Sequence, residues 1–301
     1  MKGAEKMTKK NLIFFNSKSG EGKSAEIADY VVEQLEKNGQ QAEKLLTSSK
    51  EEAIEKIRTQ SAGYQRLICI GGDGTLNVAL TGLLHVKQRP VLGVIPAGTV
   101  NNFAQKWNLP LEYHEALKVI LAESHRSIGI GECNGQAIVS SLMFGSLAEV
   151  SNRVRQQDKQ KYGLLVYPWQ AIKQLPKQRS YPIEFYNSLV AMDAKVWVCL
   201  ISTSNYIAGR RYLEEDSNSL HLTMLNNMKI NKLLNYGYFA LTGNLRRSTT
   251  LTSFDFKKLN VRTLSDKRIS TRIDGDPGPY LPLQLSWHPN FIECCVTEKI
   301  F

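Results

Sequence analysis

The chain has 301 residues, 42% hydrophobic and 22% charged, the profile of a folded globular protein with room for two cores. Its apolar runs stay far below the roughly 18 residues of a membrane-spanning helix, and the basic first ten residues lack an apolar run with a cleavage site, so neither a span nor a signal peptide is expected. A net charge of +10 suits anionic partners, a nucleotide or an acidic membrane surface, while no helix-turn-helix, zinc-finger or RNA-binding signature supports nucleic acid.

In chain order, residues 11–15 read as a first strand, followed by the polar turn Asn16-Ser17-Lys18-Ser19-Gly20. A helix follows over 23–37, with Ile27, Val31 and Leu35 spaced by four, and Asn38-Gly39 ends it. Residues 41–46 are a second strand and 51–58 a helix with Ala53, Ile54 and Ile57 inward. The third strand, Arg66-Leu67-Ile68-Cys69-Ile70, runs into Gly71-Gly72-Asp73-Gly74-Thr75, after which Leu76, Leu80, Leu83 and Leu84 mark a helix face. Strand, glycine loop and helix start place unpaired backbone N–H groups and a positive dipole end at one point, an anion site. Glycine would serve there by permitting positive φ and close backbone approach. Asp73 inside such a loop suggests nucleotide phosphates with a divalent metal. A fourth strand, 91–95, ends at Pro96-Ala97-Gly98-Thr99, and a helix begins near Asn101 and ends near Glu123. Strands alternating with helices predict a parallel sheet whose ligands bind at the carboxyl ends of its strands. Three polar, glycine-containing loops converge on that edge.

From Ser127 onward the pattern changes to short β-prone segments at 128–133, 137–144, 181–186, 194–202, 220–225, 254–264, 268–273, 281–287 and 291–296. Two helical stretches, 162–175 and 230–241, interrupt them. The reading is an α/β domain over 1–126 and a mainly antiparallel β-sandwich or flattened barrel over 127–290, with the final 291–301 able to return to the first domain.

The five cysteines, an odd number without Cys-x-x-Cys spacing, imply a reducing, cytoplasmic setting with buried inert thiols and no zinc site. Adjacent Cys294 and Cys295 should point to opposite faces of a strand. Gly22-Lys23-Ser24 imitates a P-loop, but Ser17 stands where the pattern needs a glycine. No G-x-G-x-x-G opens the first helix either.

Three motifs together carry a resemblance. Asn16-Ser17-Lys18-Ser19-Gly20, Gly71 to Asn77, and Pro96 to Ala104 resemble, in order and spacing, the three loop motifs of diacylglycerol kinase catalytic domains, and the likeness continues weakly to Asp274-Gly275-Asp276. This group includes soluble bacterial lipid kinases related to sphingosine kinases. The resemblance implies an NAD kinase- and phosphofructokinase-like nucleotide domain and a C-terminal β-sandwich with the active site between them. It further implies ATP, Mg2+ and a lipid hydroxyl as phosphate acceptor. On that basis Asn16, Ser17, Lys18, Ser19, Gly20, Gly71, Gly72, Asp73, Gly74, Thr75, Asn77, Gly98, Thr99 and Asn101 would hold ATP. Thr47 matches a nucleotide-contacting threonine of the family, or else caps the following helix. Asp73 would orient magnesium, and Asp216 loosely matches a structural magnesium ligand. The resemblance of Asp274-Gly275-Asp276 to the family's Asp-Gly-Glu implies that Asp274 and Asp276 are the base and its partner, and two carboxylates so close repel each other, which favours proton acceptance at neutral pH; Asp-Gly before Pro277-Gly278 is also good hairpin-turn chemistry.

Departures from the family pattern are Ser17 for proline, Val78 for glutamate, Asn102 for aspartate and Asp276 for glutamate. They keep three readings open: a lipid kinase, a kinase of a soluble metabolite such as NAD, and a weak or inactive binding regulator. Basic clusters at Arg153, Arg155, Lys159 and Lys161, at Arg210 and Arg211, and at Arg246 and Arg247, with the aromatic run 162–169, suit either solvated faces and core packing or peripheral contact with the inner membrane surface. A homodimer is compatible with this reading.

Overall fold

The computed structural model describes residues 9–16, 23–145, 180–189, 191–203, 206–207, 210–211, 218–226 and 251–297. The chain divides into two units, the first comprising Met1–Ile130, Gly135–Val139 and Pro289–Phe301, the second Gly131–Asn134 and Ser140–His288. In order come β1 (Lys10–Phe15), α1 (Lys23–Lys37), β2 (Gln41–Leu45), α2 (Lys50–Gln60), β3 (Arg66–Gly71), α3 (Asp73–Leu83), β4 (Val91–Pro96), α4 (Asn102–Lys106), α5 (Tyr113–Ala122), β5 (His125–Cys133) and β6 (Gln136–Ile138). There follow β7 (Ser141–Gly145), β8 (Tyr181–Tyr186), β9 (Ala191–Val196), β10 (Val198–Ser202), β11 (Tyr206–Ile207), β12 (Arg210–Arg211) and β13 (Leu220–Leu225). The last are β14 (Leu251–Phe256), β15 (Lys258–Thr263), β16 (Ser270–Ile273), β17 (Asp276–Tyr280) and β18 (Leu283–Cys295).

The first unit is the expected α/β domain. Its strands pair in parallel in the order β2-β1-β3-β4. Beyond the polar residues that open them, β1 and β3 run apolar because both sheet faces are covered, and alternate residues go to different cores. Leu12, Phe14, Leu67 and Cys69 pack with Ala53 and Ile57 of α2 and with Leu76, Leu80 and Leu83 of α3. Ile13, Phe15, Ile68 and Ile70 pack with Val31 and Leu35 of α1 and with Leu117 and Ile120 of α5. The end of β18 joins this sheet, Cys294 pairing in parallel with Leu92 of β4. Cys294 falls in the first core and Cys295 in the second, as the alternation requires. All five thiols are free and buried, and burial pushes Cys133 up to about 12, which leaves it protonated and unreactive at neutral pH.

The second unit is antiparallel. One sheet runs β14-β13-β10-β7-β16-β17; in the other, β18 pairs with β15 through Leu283 to Ser286, β15 with β8, and β8 with β9. The fully buried rings of Phe144 and Phe185, one from each sheet, lie 6.5 Å apart. Among the described residues no helix is long and apolar enough to cross a membrane.

Several boundaries differ from the sequence expectation for local reasons. The helix expected from Asn101 to Glu123 is two helices, since Asn108 turns left-handed (φ 51°) and Pro110 cannot donate a helical hydrogen bond. The expected 194–202 strand breaks at Trp197 and the 254–264 strand at Lys257, whereas 281–287 and 291–296 fuse into β18. β17, with two prolines, gave no strand signal; it is tolerated because it pairs only with β16 at the sheet edge. The helices expected at 162–175 and 230–241 lie outside the described residues.

α3 carries the glycine loop at its start, and three anchors fix the rest of it. Arg89 donates to the carbonyls of Leu83 and Leu84 at its far end and to Phe291, and stacks 3.9 Å from the Phe291 ring. On its flank Thr81 Oγ1 accepts the Ala137 N–H of β6. Against α2, Gly82 leaves no room for a side chain: a Cβ there would lie 2.9 Å from the Ile54 carbonyl oxygen and from Ile57 Cβ. Gly82→Ala should therefore lose about 1–3 kcal/mol through overpacking, despite alanine's better helix propensity, read as a lower midpoint in thermal or urea unfolding. An unchanged or raised midpoint would contradict this packing.

Candidate functional site

The register of the parallel sheet brings the predicted loops together. Phe15 pairs with Ile70 and Gly71 with Pro96, so the chain leaves β1 at Asn16, β3 at Gly71 and β4 at Pro96 side by side. Leu45 pairs with Phe14, which puts the segment holding Thr47 at the same edge. The Ala97 N–H donates to the Gly71 carbonyl and ties the β3 and β4 loops directly.

Glycine is required here for close approach and not for positive φ, which corrects one sequence argument. None of Gly71, Gly72 and Gly98 has positive φ. A Cβ on Gly98 would lie 2.6 Å from Gly72 Cα, and one on Gly72 would lie 3.0 Å from Gly98 Cα. A Cβ on Gly71 would strike the buried side chain of Thr75. The two loops thus touch backbone to backbone. Gly72 begins α3 without a capping side chain, so the positive end of an 11-residue helix faces this edge.

Asp73 does something the sequence did not suggest. Its Oδ2 accepts the Asn102 N–H at 2.9 Å and its Oδ1 the Phe103 N–H at 3.0 Å, so the carboxylate caps α4 from 29 residues away. Asn101, left-handed at φ 55°, makes no cap; its amide instead closes a ring with both backbone groups of Gly98. Asn77 is 2% exposed, donates to the Ala137 carbonyl and accepts from Gln136, contacts that hold β6 on α3. Val78, where relatives of the motif have a glutamate, packs against the first apolar core. Thr75 is buried, while Asn16 and Thr99 are exposed at the loop edge. Thr47 is not the helix cap: Ser49 is, accepting the Glu52 N–H, while Glu52 accepts from Ser48. Ser17, Lys18, Ser19 and Gly20 lie outside the described residues, as do Asp216 and, in their side chains, the basic clusters named above.

In the second unit Asp274 and Gly275 form the two-residue turn between β16 and β17, with φ of 51° and 89°. Positive φ at both positions is the hairpin geometry that Asp-Gly favours, so the turn reading of this motif holds. The Asp274 carboxylate reaches further: Oδ1 accepts Ser140 N–H (2.7 Å), Ser140 Oγ–H (2.9 Å) and Ser141 N–H (3.0 Å). Asp276 is exposed at the start of β17. Sequence reasoning missed Ser140, which sits 134 residues from its partner, and nothing local links the two.

No group of three or more His, Cys, Asp or Glu side chains able to hold a metal occurs among the described residues. Among the described residues the donor set therefore fits a magnesium ion carried on nucleotide phosphates better than a metal held by protein side chains alone. A polar groove bounded by Lys10, Asn11, Gln40, Gln41 and Tyr64 lies at the opposite, amino-terminal end of β1 and β2 and contains none of these residues.

Comparison with known proteins places these loops in a familiar context. Residues 10–133 match the model of the diacylglycerol kinase catalytic domain. A diacylglycerol kinase of Staphylococcus haemolyticus is 27% identical over 297 residues, covering 96% of this chain and 88% of that protein. One of Staphylococcus aureus is 26% identical over 282 residues, 92% of this chain and 89% of that one. A crystal structure of a diacylglycerol kinase from Bacillus anthracis superposes with a TM-score of 0.78 at 20% identity, covering 97% of this chain and 98% of that one, and so shares the fold.

The Asp73 bridge has a direct test. An asparagine offers one acceptor oxygen where the carboxylate offers two, so Asp73→Asn should speed hydrogen exchange at the Asn102 or Phe103 amide about tenfold or more. Unchanged exchange at both amides would contradict the bridge.

Proposed function

We propose that this chain, whose residues 10–133 are a diacylglycerol kinase catalytic domain, is a lipid kinase that transfers the γ-phosphate of ATP to a diacylglycerol-like lipid hydroxyl. The observation that carries the proposal is that the strand ends from which three loops depart, each with a sequence that suits phosphate, lie side by side at one carboxyl edge of a parallel sheet. Phosphoryl transfer demands mainly positioning and charge neutralisation, and a rigid glycine-lined edge supplies positioning.

The roles divide as follows. Backbone N–H groups at the start of α3 and in the loop from Gly98 to Asn101 hold the phosphates, assisted by the exposed Asn16 and Thr99 side chains. Gly71, Gly72 and Gly98 allow the loops to close, and Asp73 keeps the second loop on the first. Magnesium bound with the nucleotide would supply further charge neutralisation, with Asp73 the carboxylate assigned to it. Asp274 is assigned the proton: as the lipid oxygen bonds to the γ-phosphorus and the bond to the departing ADP breaks, the hydroxyl proton passes to its carboxylate. Asp276 lies two residues on and is assigned a supporting charge. Thr47 is a further nucleotide contact in this reading. The net charge of +10 supports an encounter with lipid at an anionic membrane surface.

One specific observation favours a second reading. Val78 packs into the core and residue 102 is a buried amide, so two carboxylates usual in the motif are missing. That pattern would suit a binding regulator.

A radiolabelled γ-phosphate transfer assay over an extracted lipid mixture separates the readings. The expected result is label in a lipid product, lost in Asp274→Asn while ATP binding persists. Label appearing in soluble acceptors without lipid would favour a metabolite kinase. ATP binding without turnover in the wild type would favour the regulator, and full activity of Asp274→Asn would remove the assigned base.

A further inference from the structure

A two-residue hairpin turn does not need its aspartate side chain. Left-handed backbone at Asp274 and Gly275 completes the reversal, and a turn carboxylate ordinarily bonds its own backbone nearby. Here the carboxylate instead crosses to the start of β7, where three donors meet on one oxygen. The Asp274 N–H also donates to the Ser141 carbonyl at 2.8 Å, so the turn is fixed to β7 from both its backbone and its side chain.

Ser140 is the centre of this arrangement. It is 2% exposed, contributes two of the three donors, and is held in turn by Thr203, whose N–H and Oγ both donate to the Ser140 carbonyl at 3.0 and 3.3 Å. The hydroxyl is buried and ends on a carboxylate that is itself only half-buried. A buried donor turned toward a partly exposed acid orients that acid. Donors aimed at a carboxylate are charge-assisted and stronger than neutral hydrogen bonds.

We infer that Ser140 is a positioning residue for the phosphoryl transfer: it pins Oδ1 of Asp274 so that the carboxylate meets the acceptor hydroxyl in one orientation. The inference rests on the assignment of Asp274 as proton acceptor, and the test separates the two. Ser140→Ala and Ser140→Gly each remove the hydroxyl donor while keeping the N–H. Thr203→Val removes a neighbouring buried bond that ends on the Ser140 carbonyl. Each variant is assayed for kcat and nucleotide KM in the lipid-transfer reaction, with Asp274→Asn alongside and thermal melting as the fold control.

Both Ser140 variants should lose about 10- to 100-fold in kcat, the loss expected for a hydrogen bond to a charged group, with nucleotide KM changed less than about twofold. Thr203→Val keeps the shorter N–H bond to the Ser140 carbonyl at 3.0 Å and loses only the 3.3 Å hydroxyl bond, so kcat should stay near wild type even where its melting temperature falls. Full kcat in both Ser140 variants beside an inactive Asp274→Asn would overturn the inference and leave the base assignment standing. Equal kcat losses in all the serine and threonine variants, tracking their melting temperatures, would make Ser140 a fold residue only and overturn it as well. Full activity of Asp274→Asn would remove both assignments.

Discussion

The first unit depends on the contact between the backbones of Gly72 and Gly98. Two loops that follow neighbouring parallel strands can approach this closely only where neither residue carries a Cβ. Three polar links hold the contact: Ala97 N–H to the Gly71 carbonyl, the Asn101 amide ring on Gly98, and the Asp73 carboxylate on the first turn of α4. Behind it stand two apolar cores, one on each sheet face, which fix the register that puts the loops side by side. The chemistry assigned to this edge needs donors that do not move, and these constraints provide them.

Two acids therefore share one physical logic. Asp73 and Asp274 each spend carboxylate oxygens on backbone N–H groups of a distant segment, the first on α4 and the second on β7. A carboxylate met by N–H groups is both satisfied and oriented. This also gives a physical reading of the motif departures. Asp73 already accepts the N–H of residue 102, so a second carboxylate there would bring like charges together, and the buried asparagine avoids that repulsion. Val78 replaces an acid with a side chain that the neighbouring core accepts.

Much of this was legible in the chain itself. The apolar runs of β1 and β3, the four-residue spacing in α1 and the three loop motifs gave the α/β unit and the edge where its loops meet. Alternation placed Cys294 and Cys295 in different cores. What escaped was set by distant partners. The reason for the glycines, contact instead of positive φ, is visible only when Gly98 is laid on Gly72. The use of Asp73 as a cap depends on a helix 29 residues on, and Ser140 acquires meaning only from a turn 134 residues away. β17 escaped because its prolines argue against a strand unless the strand lies at an edge.

The central claim is that the touching glycine loops are the nucleotide-phosphate site. Its most direct measurement is ATP titration by calorimetry on wild type and Gly98→Ala, with thermal melting in parallel. A methyl group at residue 98 must push the two loops apart, so the account predicts binding by the wild type and an affinity loss of at least about tenfold in the variant, which still unfolds cooperatively but at a lower melting temperature, as overpacking against backbone requires. Equal affinity in the two proteins, or no ATP binding by the wild type, would contradict it.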